Sequence, residues 1–467
     1  MIAKRSTILL WAYAAVLIAL NISRCFDNVY WGDECFSINL VQKTVDEVVS
    51  LTAADVHPPL YYLWLKAFTG VFPGAYHQAS VAVFVVTTVI VLTWFRRRFG
   101  AKAALLMLTL CSLTYTGARY AVEVRMYGMA AMWELVAFLA LYDVLRTGRW
   151  RYYIVMAAAS VAAAYTHYYA LLAVSLLWLY LIIHTIATRK GQWRVAICAA
   201  SAVVVFLPWV RTLLAAVEKK AMIEHGASAL PSITKMLAYP FYVSDDHSTS
   251  SIVVNALMLI VYLAVLIMLL IGPIVRRNRY ASLEHWALAG QVSFYGTALI
   301  GFLSCLFLGG SYMNRYLFPA SVAVWAVLSV GMTRLRWRWA TPLLAAACVA
   351  FYGTVCARVY QRERQYAREM SEIVEKTQAI GSGAVIVTDL NHICWTIGEY
   401  YWPGATCLGW DSEWPTVSDI WVMRSATLSP EETTKLGATG FVVEPVTEGH
   451  IGGEQYYAHI YHLHRSR

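Results

Sequence analysis

Charge is what this chain has least of. Aspartate, glutamate, lysine and arginine make up 14% of its 467 residues, against 59% hydrophobic residues and a mean hydropathy of +0.53. A water-soluble globule of that composition would expose large apolar patches, so an ordinary soluble domain is excluded. The chain also lacks an internal repeat, a low-complexity tract and any His/Cys spacing of the zinc-site kind; His462 and His464 read as part of an exposed strand. The first apolar run has no small-residue cleavage site, so it reads as a retained helix and not a cleaved signal. Most of the nine cysteines lie in apolar runs as small core residues. Two pairs, Cys25 with Cys35 and Cys394 with Cys407, could bridge in an oxidising exterior.

The net charge of +9 would suit nucleic acid, but its distribution does not. Basic residues cluster at 4–5, 96–98, 146–151, 189–194, 276–279 and 334–338, in short turns between apolar runs. That pattern orients a membrane protein, its basic turns staying cytoplasmic, and no nucleic-acid partner is expected. Apolar segments run at about 7–22, 77–95, 102–118, 126–145, 152–166, 168–187, 195–210, 251–274, 286–308, 316–332 and 340–356. Eleven crossings of roughly 20 residues, beginning inside, would put every basic cluster inside and the tail outside. Residues 58–72 are apolar but short, and a crossing there would flip every later cluster. They read as an interfacial or re-entrant helix begun by Pro58-Pro59 and anchored by Tyr61, Tyr62 and Trp64. Residues 44–53 form an amphipathic stretch suited to lying flat on the membrane.

The expected fold is therefore a polytopic α-helical membrane domain, 1–356, whose first outer loop is 23–76. A small extracytoplasmic α/β domain, 357–467, would follow. In the tail, 381–389, 419–423, 440–445 and 456–465 read as strands, and 392–402 and 430–436 as helices. Gly381-Ser382-Gly383 reads as a plain turn and not a phosphate loop.

The regions expected at the outer face, 23–76, 118–126, 166–168, 211–250 and 309–316, hold the chain's unusual polar groups. These are Asp33 and Glu34 in Trp-Gly-Asp-Glu, then His57, Tyr61 and Lys66, then Arg119, Glu123, Arg125 and Tyr127, then His167, and last Arg315 and Tyr316. Each alone has an ordinary explanation: Arg125 can pair with Glu123, Arg315 can anchor at headgroups. One topology sends all of them to one face, which is the pattern of a site. Carboxylates and cations under lipid suit sugar transfer from a polyprenyl-phosphate donor. The leaving phosphate needs cations to hold its charge, which Arg125 and Arg315 would supply, with His57, His167 or Lys66. The acceptor hydroxyl needs a base, Asp33 or Glu34, and attack opposite the phosphate inverts the sugar. A single phosphate makes a metal dispensable without excluding a divalent ion.

At these residues the chain resembles the polytopic glycosyltransferases of the GT-C fold, in the group that includes protein O-mannosyltransferases and the lipid A aminoarabinose transferase. The resemblance rests on Asp33-Glu34, on His57 to Tyr62 (HPPLYY), on Glu123, Arg125 and Tyr127 (E-x-R-x-Y), on Tyr165 to Tyr168 (YTHY) and on Arg315 to Pro319 (RYL-x-P). It implies a first-loop Asp, best matched by Asp33, as general base, and basic residues, here Arg125 and Arg315, on the lipid phosphate. It also implies first-loop helices lying along the membrane. Family members often carry Gln where this chain has Val122, so a polar role there is not carried over. The acceptor is left open among glycan, lipid and protein, with membrane lipid as the surrounding partner. A transporter or flippase of lipid-linked glycans is the alternative, although such proteins tend to internal repeats and mid-membrane charges.

Overall fold

The structure, a computed structural model, describes residues 2–26, 29–223, 233–243, 249–275, 282–308, 312–334, 340–453 and 456–465. The basic cluster at 276–279, most of that at 334–338, and parts of the regions 211–250 and 309–316 lie outside the described residues. Two compact units are formed. The first comprises Met1–Ser23 and Val45–Ala357; the second comprises Arg24–Thr44 and Arg358–Arg467. The first outer loop is thus divided between units, its first half belonging with the tail. A single helix, Ala340–Lys376, begins in one unit and ends in the other.

Each of the eleven apolar segments falls on helix in the first unit. Among the described residues seven helices are long and apolar enough to cross a membrane: Ser6–Phe26, Tyr76–Phe99, Tyr127–Thr147, Tyr168–Thr188, Gln192–Glu218, Ser282–Phe307 and Asn314–Met332. Ala101–Leu113 and Ile252–Ile267 are shorter apolar helices. The 102–118 segment is broken at Thr114, whose Oγ1 accepts from the Gly117 amide at 3.1 Å and starts a new turn of helix. Residues 58–72 form the 12-residue helix Leu60–Val71. At 1.5 Å per residue it is about 18 Å long, well short of a ~30 Å hydrocarbon core.

Packing sorts the helices. Phe318–Met332 is buried along its whole length and Tyr127–Thr147 along most of it, so these two are the centre. Gln192–Ile223 is peripheral, exposing Val203, Val204, Val205 and Leu207, a surface that water would not tolerate and lipid does. Small residues allow the close contacts: a Cβ on Gly290 would meet Phe138 at 2.7 Å. The Trp286 indole stacks on Phe138 at 4.3 Å and donates to its carbonyl at 2.8 Å.

At the C-terminal end of the central helix three basic turns meet. Arg98 Nε lies 2.9 Å from the wholly buried Asp143 carboxylate and Arg98 Nη2 3.0 Å from the Tyr152 hydroxyl. Trp94 Nε1 donates to the same carboxylate at 2.7 Å, and Arg194 donates to the Gly148 carbonyl. Tyr127–Thr147 has 21 residues, so about 31 Å separates this end from the end carrying Arg125. Asp143→Ala should leave Arg98 and Trp94 without their shared acceptor. A loss on the order of 2–3 kcal/mol is expected, below that of a fully buried pair because Arg98 is 24% exposed. Thermal unfolding in detergent would measure it, and Asp143→Asn should recover part of it.

The second unit is a five-stranded mixed sheet. Its strands are β1 (Val385–Thr388), β2 (Thr406–Gly409), β3 (Asp419–Arg424), β4 (Phe441–His450) and β5 (Tyr457–Arg465), in the order β2-β1-β3-β5-β4. β1 is parallel to β2 and β3, and the β4–β5 hairpin adds antiparallel. Val385, Val387, Ile420, Val422, Phe441 and Leu463 form the core of one face, with Leu436 of the helix Pro430–Ala438 packed against it. The hairpin is tied to the long helix by Glu369, which accepts from the His450 amide at 2.9 Å. The expected strands and helices of the tail are all present. β2 was not expected, and β4 runs five residues past the predicted 445.

Candidate functional site

Asp33 and Glu34 open the helix Gly32–Val41 of the second unit. Glu34 is buried and its Oε2 accepts from the Trp31 amide at 3.2 Å, so it closes the helix start. Asp33 is half-buried in the first turn, at the positive end of the helix dipole. The segment leading in is held by the tail. The Tyr30 amide donates to the Tyr401 hydroxyl at 2.9 Å, and the Tyr30 ring lies edge-on to Tyr400 at 5.4 Å. Two glycines permit the fit: a Cβ on Gly32 would meet the His392 ring at 2.9 Å, and one on Gly452 (φ +68°) the Tyr30 carbonyl at 2.8 Å. Asn39 then donates to the Thr396 carbonyl at 3.1 Å. Arg24, almost fully buried, makes a two-pronged ion pair with Glu363, Nε to Oε2 at 2.9 Å and Nη2 to Oε1 at 2.5 Å. Burial pushes the Cys35 thiol well above its ordinary range, with the Glu34 charge adding to it, and its sulfur contacts the Tyr30 carbonyl at 3.4 Å. It is a core residue.

The remaining candidates belong to the first unit, where the turns near 57, 125, 167 and 315 meet. Arg125 is buried and its Nη1 donates to the Tyr62 hydroxyl at 3.2 Å. Glu123, also buried, takes Arg119 Nε at 2.8 Å, and its carbonyl accepts from Ser80 Oγ at 2.8 Å. Because that bond uses the Ser80 hydrogen, the Tyr61 hydroxyl donates to Ser80, at 3.0 Å. Tyr61 thus braces the turn. Lys66 lies one turn beyond Tyr62 on the same face of Leu60–Val71. Arg125 and Arg315 both lie close enough to the buried Tyr127 hydroxyl for their charges to act on it. His167 interrupts two helices with extended backbone, and its Nδ1 accepts from the Tyr169 amide at 3.1 Å, leaving the ring hydrogen on Nε2. Its ring lies 6.2 Å from His57, 5.4 Å from Tyr127 and 5.7 Å from Tyr316. Tyr169 stacks on Tyr316 at 4.9 Å.

Several members escaped the sequence reading. Asp55 was one: its Oδ2 takes His57 Nδ1 at 3.0 Å and orients that ring. The Asp-x-His spacing was the available signal. Tyr62 was another, read as a membrane anchor while it is the partner of Arg125. Burial alone would raise the Asp55 carboxyl, but the His57 hydrogen bond and charge, with Arg125 beyond, hold it down at about 2.

Over this geometry the comparisons are clear. A solved structure of ArnT from Cupriavidus metallidurans in the apo state superposes over 99% of this chain and 98% of its own, with a TM-score of 0.63 at 13% sequence identity. The chain has the ArnT fold. A second structure, ArnT from Cupriavidus metallidurans bound to undecaprenyl phosphate, covers 97% of each chain, with a TM-score of 0.57 and 13% identity. No family model matches the chain, and no curated protein does. The ArnT fold is a GT-C architecture, the one implied by the strings at Asp33, His57, Glu123, Tyr165 and Arg315. Among the described residues one set could gather a metal ion: Glu444, His462 and His464, with ligand atoms within 4.8 Å of one another. It stands on the β4–β5 hairpin, where His462 Nε2 is already 2.6 Å from Asp419.

The Asp55–His57 pair makes a pH prediction. Because Asp55 is held below its ordinary value of 3.8, its contribution is complete above about pH 4 and lost as pH falls toward 2. Asp55→Asn should therefore destabilise at pH 5, on the order of 1–2 kcal/mol. The difference from the parent should shrink steadily between pH 4 and pH 2 in thermal-shift measurements.

Proposed function

We propose that the chain transfers a sugar from a polyprenyl-phosphate donor to an acceptor hydroxyl at the outer face of the membrane. The observation that carries this reading is a full-length ArnT fold in which the turns bearing Arg125 and Arg315 meet at His167, whose ring lies 5.4 Å from Tyr127 and 5.7 Å from Tyr316. A buried guanidinium stays charged and suits a phosphate dianion or ester. ArnT itself has been solved with undecaprenyl phosphate bound, which makes a polyprenyl phosphate the natural donor class.

In this reading the acceptor oxygen attacks the anomeric carbon while the bond from that carbon to the phosphate oxygen breaks. The bonding pair leaves with the lipid phosphate, whose growing charge Arg125 and Arg315 hold, and the sugar inverts. Asp33 takes the acceptor proton. Glu34 closes its helix and keeps Asp33 in place. His57 and His167 supply further polar contacts to the donor. The tail faces outward, on the side where the donor sugar is presented. Neither the sugar nor the acceptor is named by these groups, since all of them address the phosphate and the proton.

The test is transfer of radiolabelled sugar from polyprenyl-phosphate pools in membranes with and without the chain, followed by product analysis. Asp33→Asn should lower turnover by roughly 10²–10⁴-fold and leave donor affinity within a few-fold. Arg125→Ala and Arg315→Ala should instead weaken donor binding by about 10–100-fold each, with lysine restoring part. Full turnover by Asp33→Asn would remove the base assignment, and unchanged donor binding in both arginine variants would remove the clamp.

A further inference from the structure

Two thiols in the second unit are placed for a purpose the transfer reaction does not need. Cys394 sits in the π-helical turn Ile393–Ile397, and Cys407 sits in β2, paired with Ile386 of β1. Their sulfurs are 2.6 Å apart. That is within about 0.6 Å of the bonded distance of about 2.05 Å. Both side chains are partly exposed, so a reagent can reach them. The turn that carries Cys394 is also the seat of the Asp33 helix: His392 fills the space over Gly32, the Thr396 carbonyl takes Asn39, and Tyr401 takes the Tyr30 amide.

We propose that Cys394 and Cys407 form a disulfide that pins this turn to the sheet and so fixes the platform under Gly32–Val41. The inference rests on the outward placement of the tail, where disulfides persist. The oxidant is a disulfide carrier of the exterior, a thiol–disulfide oxidase or oxidised glutathione. One chain thiolate attacks a carrier sulfur, forming a mixed disulfide and releasing the other carrier sulfur as a thiolate. The second chain thiol then loses its proton and displaces the carrier. Two electrons and two protons leave the chain and the carrier is reduced to thiols.

Cells producing the full chain are acid-quenched and alkylated with N-ethylmaleimide, and the purified protein is digested without reductant for mass spectrometry. A linked Cys394–Cys407 peptide in most of the chain is expected, and both cysteines carrying the alkyl group would overturn the bridge. A reporter fused after Arg467 reads the side of the membrane independently. Free thiols on an outward tail overturn the bridge alone, and free thiols on an inward tail overturn the orientation with it. Reduction of the parent should lower the unfolding midpoint of the tail by roughly 5 °C or more. It should also speed hydrogen exchange over residues 32–41. Neither change should occur in C394S/C407S. Exchange over 32–41 that ignores reduction in the parent would overturn the platform role.

Discussion

A guanidinium cannot shed its charge, and once removed from water it must be hydrogen bonded or it costs several kcal/mol. Arg125 is 4% exposed, so the first unit has to supply it with polar partners inside an apolar protein. The chain answers with tyrosines, whose rings pack like phenylalanine while the hydroxyl accepts or donates. Tyr62 receives the arginine directly; elsewhere in the same unit Tyr120 packs on Tyr127 and Tyr169 on Tyr316. The same rule governs the opposite end of the central helix, where Asp143 is buried only because Arg98 and Trp94 reach it. Between its ends that helix carries the buried Glu134, to which Ser293 donates at 2.9 Å. The distribution of polar groups along that helix is that of a membrane protein with work at its ends.

The second unit makes a different use of its residues. Its sheet is ordinary, but the first-loop segment Arg24–Thr44 is built into it. Close backbone approach at Gly32 and Gly452, the Tyr30–Tyr401 bond and the Arg24–Glu363 pair leave that segment little freedom. The tail therefore acts as the mount for the loop that carries Asp33, and not as a separate appendage on a long helix. Glu34 shows how closely structural and chemical duties can sit: adjacent carboxylates, one consumed by its own helix start, the other left half-buried beside it.

Some partner choices could not be read from neighbours in sequence. Glu123 and Arg125 are adjacent enough to suggest a pair, but their place in the turn after the helix Tyr115–Tyr120 brings further groups to each. Arg119 accordingly takes Glu123, and Tyr62, distant in sequence, takes Arg125. β2 was missed because its four residues lack an alternating pattern, its burial running from exposed to half-buried and back. The helix Gln192–Ile223 continues through Pro208 and runs past the apolar segment 195–210.

What the residues settled alone was the solvent and the scaffold. Composition demands lipid and the length of each apolar run demands helix, because both are local properties. Alternation and turn residues likewise disclosed most of the tail. Folding alone decided which helix became the centre, that half of the first loop belongs to the tail, that four distant turns meet around Tyr127, and that Cys394 faces Cys407. Those outcomes depend on side chains far apart in the chain competing for the same few polar partners and the same buried volume, and no local pattern encodes who wins.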